Sequence, residues 1–456
     1  MIIMNQLFVD RDRELEFLNE SYRGKNSLIV IYGRRRIGKT ELIKRFIKDK
    51  PHVFFLADER GDLSNLKELQ RSMALYLHEP LFEKAEITDW IELFDEFCRR
   101  VEEKIIIVID EFPYLVSNNK AIPSIFQKIW DLNLANKKVH LILCGSSIRM
   151  MESHVLSYRA PLYGRRSGQI LLGPLKFRYL RSFFHSKDFE YLLKTYSVTD
   201  GIPLYLLKFD QHLDFKENLS RHVFGIGSFL YQEAEMLMKQ ELREMSNYFN
   251  ILKAIASGGT RYGEIVNLTG LDKSIVTKYL DNLQSLHVVK REFPVTQKKE
   301  TRNAHYVFED NYFNFWFRFV FPNKSIIEEG KQKELLHQIN PQLNLYVSKV
   351  FEKTCRGLLW DLKIGFTPTK IGRWWHKDRE IDIVAINEER KQILFTECKW
   401  KDKVNAEKIL KELKEKAKFV DWNLGKRKEH YCVIAKSFSR KSEDALCFDL
   451  RDLGGL

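Results

Sequence analysis

Cysteine is scarce in this chain, and its placement excludes two classes of protein. Six residues among 456 (Cys98, Cys144, Cys355, Cys398, Cys432 and Cys447) are scattered with no CxxC pair. That spacing argues against a disulfide scaffold or a cysteine metal site and for a reducing interior. Long hydrophobic runs are missing too. No apolar stretch approaches 18 residues, and the amino end has no basic segment leading into an apolar one, so a soluble cytoplasmic protein with no membrane partner is expected. Acid is in deficit: 75 Lys plus Arg stand against 62 Asp plus Glu, a net charge of +13 and a pI near 9.2. That balance favours phosphate-bearing partners. At this length, two to four domains are expected rather than one enlarged core.

What is present begins with "SLIVIYGRRRIGKTELIKRFI". An apolar strand runs into Gly33, Arg34, Arg35, Arg36, Ile37, Gly38, Lys39 and Thr40, followed by an amphipathic helix. This is GxxxxGK[ST] in its strand-loop-helix setting. Glycines let backbone N–H groups curl around phosphate oxygens, and the helix N-terminus adds its positive end. Lys39 is expected at the β and γ phosphates of ATP and Thr40 at Mg²⁺.

A second strand, "EEKIIIVIDEFPYL", reads as a continuous apolar run, the mark of a parallel strand buried on both faces, and ends in Asp110 and Glu111. Asp110 is expected to bind Mg²⁺ through water and Glu111 to polarise the attacking water. A third, "VHLILCGSS", carries Ser146 at its end as a residue that feels the γ-phosphate. Arg159, Arg165 and Arg166 follow as finger candidates, in cis or from another subunit of a homo-oligomer, with Arg165 chosen for the nucleotide site. "SVTDGIPLYLLKF" holds a Gly-x-Pro break at Gly201 and Pro203.

Taken in order, "LFVDRDRELEFL", "IYGRRRIGKTELI", "IIVIDEFPYL", "LILCGSS", "LYGRRSGQILLGPL" and "TDGIPLYL" resemble the archaeal ATPase family, a branch of the STAND P-loop NTPases related to AAA+ proteins. The resemblance covers about residues 5–240. It implies a RecA-like α/β core over 1–170, a helical lid over 171–240, ATP with Mg²⁺, and a Gly-x-Pro motif leading into a winged helix.

The winged helix-turn-helix is also legible in the residues of 241–310. Three helical stretches, "NYFNILKAIASG", "TRYGEIVNLTG" and "DKSIVTKYLDNLQSL", precede two strands around "TQKKETRN". Lys273, Thr277 and Lys278 are expected to face a DNA major groove, and Lys298, Lys299 and Arg302 on the wing to meet phosphates. The competing role is an internal relay between domains. The aromatic run "EDNYFNFWFRFVFPN" is then expected to be a core segment or joint over 311–340. It resembles the start of the domain of unknown function, DUF234, commonly fused to archaeal ATPases.

Residues 341–456 read helix, strand, strand, strand, helix, strand. This order resembles the αβββαβ core of the PD-(D/E)xK, or restriction-endonuclease-like, nucleases. Side chains alternate along a strand, so Glu397 and Lys399 share a face, and Asp382 on the neighbouring strand can share it. Asp382 and Glu397 are expected to hold Mg²⁺ while Lys399 orients or stabilises the nucleophile. Glu352, on the preceding helix, is the fourth member that the nuclease pattern implies. The resulting expectation is an ATPase that associates with DNA and controls a Mg²⁺-dependent nuclease-like domain. The alternative is a nucleotide-gated switch that binds DNA or protein without cutting.

Overall fold

The computed structural model describes residues 8–242, 244–297 and 303–455. The chain divides into two compact units, one reaching Leu175 and including Ile202–Leu204, the other comprising Lys176–Gly201 and Tyr205 onward. The segment expected as a lid over 171–240 therefore belongs, from Lys176 and apart from Ile202–Leu204, to the second unit.

The first unit is built on five parallel strands, β1 (Ser27–Tyr32), β2 (His52–Leu56), β3 (Ile105–Asp110), β4 (Val139–Gly145) and β5 (Gly168–Leu171), in the order β2-β3-β4-β1-β5. Every residue of β1, β3 and β4 is buried. The uninterrupted apolar runs follow from helices covering both faces of the sheet. The β4 strand lies between β1 and β3, so the loop after β1 and the acids ending β3 flank the end of β4.

The second unit contains three helices, Met245–Ala256, Tyr262–Thr269 and Lys273–Ser285, then an antiparallel hairpin of β6 (Val289–Glu292) and β7 (His305–Phe308). Lys298, Lys299 and Arg302 lie outside the described residues. The hairpin is not a free arm. The Val295 N–H donates to the Arg373 carbonyl at 2.9 Å, and the His305 ring stacks on Trp375 with centroids 4.5 Å apart.

The aromatic run is core. Tyr312, Phe313, Phe315, Trp316, Phe317 and Phe319 are buried. Their polar atoms are satisfied: Tyr312 Oη donates to the Leu230 carbonyl and Trp316 Nε1 to the Tyr231 carbonyl, both at 2.8 Å. No helix among the described residues is long and apolar enough to cross a membrane.

A 27-residue helix, Gln332–Leu358, leads into β8 (Lys370–His376), β9 (Arg379–Asn387) and β10 (Gln392–Lys399). After the short β11 (Val404–Asn405) come the helix Ala406–Ala417, then β12 (Lys428–Ala435), β13 (Phe438–Arg440) and β14 (Leu446–Phe448). The sheet order is β14-β12-β10-β9-β8, antiparallel from β8 to β10 and parallel from β10 to β14, while β11 and β13 pair separately. All six cysteines are free thiols.

Candidate functional site

Two clusters of chemistry-bearing side chains stand in the two units. In the first, the loop between β1 and the Lys39–Ile47 helix is shaped by its glycines. Gly33 has φ 149°, and a Cβ there would meet the Leu172 carbonyl oxygen at 2.4 Å; Gly38 has φ 96°. A side chain at Gly33 would force the loop off the strand that supports it. Arg11, 5% exposed, braces the same region by donating to the Gly173 carbonyl at 2.7 Å and the Ile37 carbonyl at 3.3 Å.

Lys39 is 6% exposed, and its ammonium donates to the carbonyls of Gly33 (2.8 Å) and Arg34 (2.9 Å). Burial lowers its pKa, so an anionic partner in the loop would be strongly favoured. Thr40 Oγ1 donates to Asp110 Oδ2 at 2.8 Å, which puts a hydroxyl and a buried carboxylate side by side. These hard oxygen donors suit Mg²⁺.

Glu111 adopts a left-handed conformation, φ 53°, at the head of the Phe112–Asn118 helix. Its Oε2 accepts from Ser146 Oγ at 2.7 Å and from the Ser146 N–H at 3.2 Å. Arg35 spans the same corner, donating to Ser146 Oγ at 3.3 Å and Tyr114 Oη at 2.8 Å. Arg34 and Arg36 are half-buried and Ile37 buried in the loop. The structure thus links Thr40, Asp110, Glu111 and Ser146 through direct contacts, with Lys39 held on the loop carbonyls of Gly33 and Arg34.

Arg165 is not among them. It pairs with Asp131 at 2.9 Å and donates to the Pro161 carbonyl. Arg166 donates to the Leu156 carbonyl, and Arg159 is exposed. Arg11 and Tyr114 are the residues that sequence reasoning missed at this site, while Arg35, expected in the phosphate loop, also reaches Ser146 and Tyr114. For Arg11 the signal was the polar "DRDRE" just ahead of the P-loop strand.

In the second unit, β9 and β10 pair antiparallel with Ile383 opposite Thr396. One residue further, the register sets Asp382 opposite Glu397, and opposed residues on an antiparallel pair point to the same face. Asp382 is 8% and Glu397 3% exposed. Asp382 Oδ2 accepts from the Cys398 N–H at 2.9 Å. Glu397 is gripped on both oxygens: Oε2 by Lys399 Nζ at 2.8 Å and Oε1 by Lys416 Nζ. Glu352 arrives from the long helix, paired with Lys349 at 3.1 Å.

The electrostatics tie these four residues together. Burial, then the Glu352 and Glu397 carboxylates, push Asp382 well above the usual range. Burial also raises Glu352, against the pull of Lys349. Burial would raise Glu397 as well, but Lys399 and Lys416 hold it below its ordinary value. Burial first, and then the neighbouring carboxylates, oppose ionisation of Asp382, and a nearby cation would relieve both. Among the described residues no group of three His, Cys, Asp or Glu side chains converges to hold a metal ion. Two carboxylates, with water and phosphate oxygens completing the set, are nevertheless a common way to hold Mg²⁺. Lys416, from a helix beyond the strand pair, had no signal in the sequence apart from its place on a basic helix.

On the three-helix segment that precedes the β6–β7 hairpin, Lys273, Thr277 and Lys278 are all exposed. Thr277 Oγ1 also sits 2.9 Å from Tyr262 Oη, tying that helix to the one before it.

Residues 8–209 match the family described as an ATPase domain predominantly from Archaea. Residues 316–409 match one described as "Archaea bacterial proteins of unknown function". An uncharacterized protein of Methanocaldococcus jannaschii is 42% identical over 454 residues, spanning 98% of this chain and 100% of that protein. An uncharacterized ATP-binding protein of the same organism is 53% identical over 45 residues, 10% of this chain and 76% of its own length. Among solved structures, a Walker-type ATPase of Pyrococcus abyssi shares the fold with a TM-score of 0.52 at 21% identity, over 68% of this chain and 96% of that one. With a P-loop unit matched as an ATPase domain and a relative alike over its full length, the chain belongs to the archaeal ATPase family, as an ATP-hydrolysing member carrying the C-terminal domain of unknown function.

Proposed function

We propose that this ATPase associates with DNA in the cytoplasm, and that its nucleotide state governs a winged helix-turn-helix and a Mg²⁺-dependent nuclease-like domain of the PD-(D/E)xK kind. In the nucleotide site, Lys39 meets the β and γ phosphates, Thr40 and Asp110 hold Mg²⁺, and Glu111 orients the attacking water under the control of Ser146. In the second site, the observation that supports the reading is the pair of buried carboxyls Asp382 and Glu397 on neighbouring antiparallel strands, with Lys399 on Glu397 at 2.8 Å; Glu352 on the long helix is the fourth member of the proposed centre. Asp382 and Glu397 would hold Mg²⁺, which when bound supplies charge stabilisation to a phosphodiester and a more acidic water. Lys399, released from Glu397, orients the nucleophile and balances charge building on the phosphate.

A second reading is supported by a different observation. Both Glu397 oxygens are already taken by lysines, and the β6–β7 hairpin is hydrogen-bonded to the strand beside the candidate centre. These contacts suit a nucleotide-gated switch whose C-terminal domain binds without cutting and whose hairpin relays movement.

A cleavage assay with Mg²⁺ or Mn²⁺ against EDTA, with and without ATP, separates them. Wild type should cut DNA only with metal. Glu397→Ala and Lys399→Ala should lose cleavage and keep ATP turnover. Cleavage undiminished in both variants sinks the assignment of the centre, and absence of cleavage on every substrate promotes the switch.

A further inference from the structure

A cavity of about 310 Å³ opens in the second unit among the β6–β7 hairpin, the Gln332–Leu358 helix and the β8–β9 edge of the sheet. Its lining is heavily cationic: Lys290, Arg318, Lys349, Lys353, Arg356 and Arg373 stand against only Glu292, Glu352 and Asp382. Two of those three carboxyls, Glu352 and Asp382, belong to the candidate centre, so the cavity opens onto it.

The cations are unevenly satisfied. Glu292 is shared by three, Arg356 at 2.6 Å, Lys290 at 3.3 Å and Arg373 at 3.4 Å, and Arg373 also pairs with Glu380 at 3.0 Å. Lys349 takes Glu352 and lies 3.7 Å from Glu380, and Lys353 donates to the Asn311 side chain at 2.9 Å and to the Glu309 carbonyl, with Asp200 at 3.7 Å. Arg318 is half-buried and has no hydrogen-bond or ion-pair partner among the described residues; its guanidinium rests 5.9 Å from the Phe319 ring centre. Arg318 thus stands among like charges without a carboxylate of its own, which favours entry of an anion. Burial and the nearby Arg356 lower the Lys290 pKa even though Glu292 pulls the other way, so a further anion beside Lys290 would be favoured. Ile255, Val307 and Phe308 supply an apolar wall opposite the cations.

We propose that this cavity seats one unpaired nucleotide of a nucleic-acid strand, with its phosphate on Arg318 and Lys290, so that the strand's next phosphodiester lies toward Asp382. The volume is at the small end of ligand pockets and takes a single nucleotide but no base pair. The chain therefore selects unpaired strand over continuous duplex, in the way enzymes that act within a pocket take a nucleotide out of the stack. This rests on the nucleic-acid part of the reading above and adds the substrate class.

The test is binding of the full-length protein in EDTA, where no cleavage occurs, to an internally labelled oligothymidylate and to a blunt duplex of equal length. Wild type should bind the single strand at least tenfold more tightly. Arg318→Gln should weaken that binding by about tenfold, the effect of losing one charged phosphate contact, and Arg318→Lys should restore part of it. Duplex affinity and melting temperature should stay as in wild type, because Arg318 makes no polar contact that holds the fold. Equal affinity for the two nucleic acids, or an Arg318→Gln protein that binds the single strand as wild type does, overturns the proposal. So does Arg318-dependent binding of dTMP with none of the oligonucleotide, which would make the pocket one for a free nucleotide. Arg318-dependent single-strand binding without cleavage in Mg²⁺ would leave the pocket standing and remove the nuclease reading. Metal-dependent cleavage of the single strand that Arg318→Gln leaves at the wild-type rate would do the reverse.

Discussion

Ser146 Oγ donates to Glu111 Oε2 at 2.7 Å, with the Ser146 N–H on the same oxygen at 3.2 Å. The acid that follows Asp110 is thus tied to the end of β4, between the phosphate loop and its own strand. Glu111→Gln should keep ATP binding and slow turnover by about 100-fold or more, the scale of a lost general base. Ser146→Ala removes the hydroxyl tie but not the backbone one, so kcat should fall by roughly tenfold with KM for ATP little changed. A Glu111→Gln enzyme at wild-type speed would take the water-polarising role away from Glu111.

Lys39→Ala removes an ammonium whose burial leaves it dependent on anionic company. ATP binding, read by a fluorescent analogue, should drop by at least 100-fold, about 3 kcal/mol, and hydrolysis should vanish. The fold should survive, since Lys39 bonds only to two loop carbonyls. Unchanged turnover would refute the P-loop assignment.

Asp382 gives a prediction of opposite sign for stability and function. Its folded pKa lies well above the unfolded one, so at neutral pH its ionisation is unfavourable in the folded chain, and the destabilisation grows as pH rises through the folded value. Asp382→Asn removes that charge at constant volume. The melting temperature at pH 7 should rise by ~2 °C or more, while metal-dependent cleavage disappears. A lower melting temperature would show that the carboxylate is structural.

Glu292 behaves in the ordinary acid direction. Burial opposes its charge, but Arg356, Lys290 and Arg373 bring its pKa from 4.5 to about 2. A depressed folded pKa means stability fully present above about 4.5 and lost as pH falls toward 2. Glu292→Gln should therefore cost on the order of 3 kcal/mol at pH 7 and much less at pH 3. Urea titrations at the two pH values check it, and a deficit independent of pH would contradict the ion-pair account.

Lys273 and Lys278 stand exposed on one helix of the expected DNA-binding segment. Reversing both to Glu should weaken DNA binding and reduce the slope of log affinity against log salt by about 2, one per lost phosphate contact. A slope that does not move assigns this helix to the relay role.

The local features of this molecule are legible in its sequence for physical reasons that act over a few residues. Glycines at Gly33 and Gly38 mark the positive-φ loop, and predominantly apolar runs mark β1, β3 and β4 because strands covered on both faces admit a polar residue only with a partner, as Ser27 and His140 have in each other. The two-residue period of a strand suffices by itself to put Glu397 and Lys399 on one face. What tertiary structure decided is which distant pieces meet. The order of the first sheet sets β4 between β1 and β3 and so brings Ser146 to Glu111 and Arg35 to Ser146. Arg165 was drawn to Asp131 on another helix, a preference no motif encodes. Lys416 reaches Glu397 because the Ala406–Ala417 helix packs against β10, and Val295 and His305 dock the hairpin on β8. The cationic cavity draws on residues from Ile255 to Asp382. Such meetings depend on the packing of whole faces, which pattern within a short window does not contain.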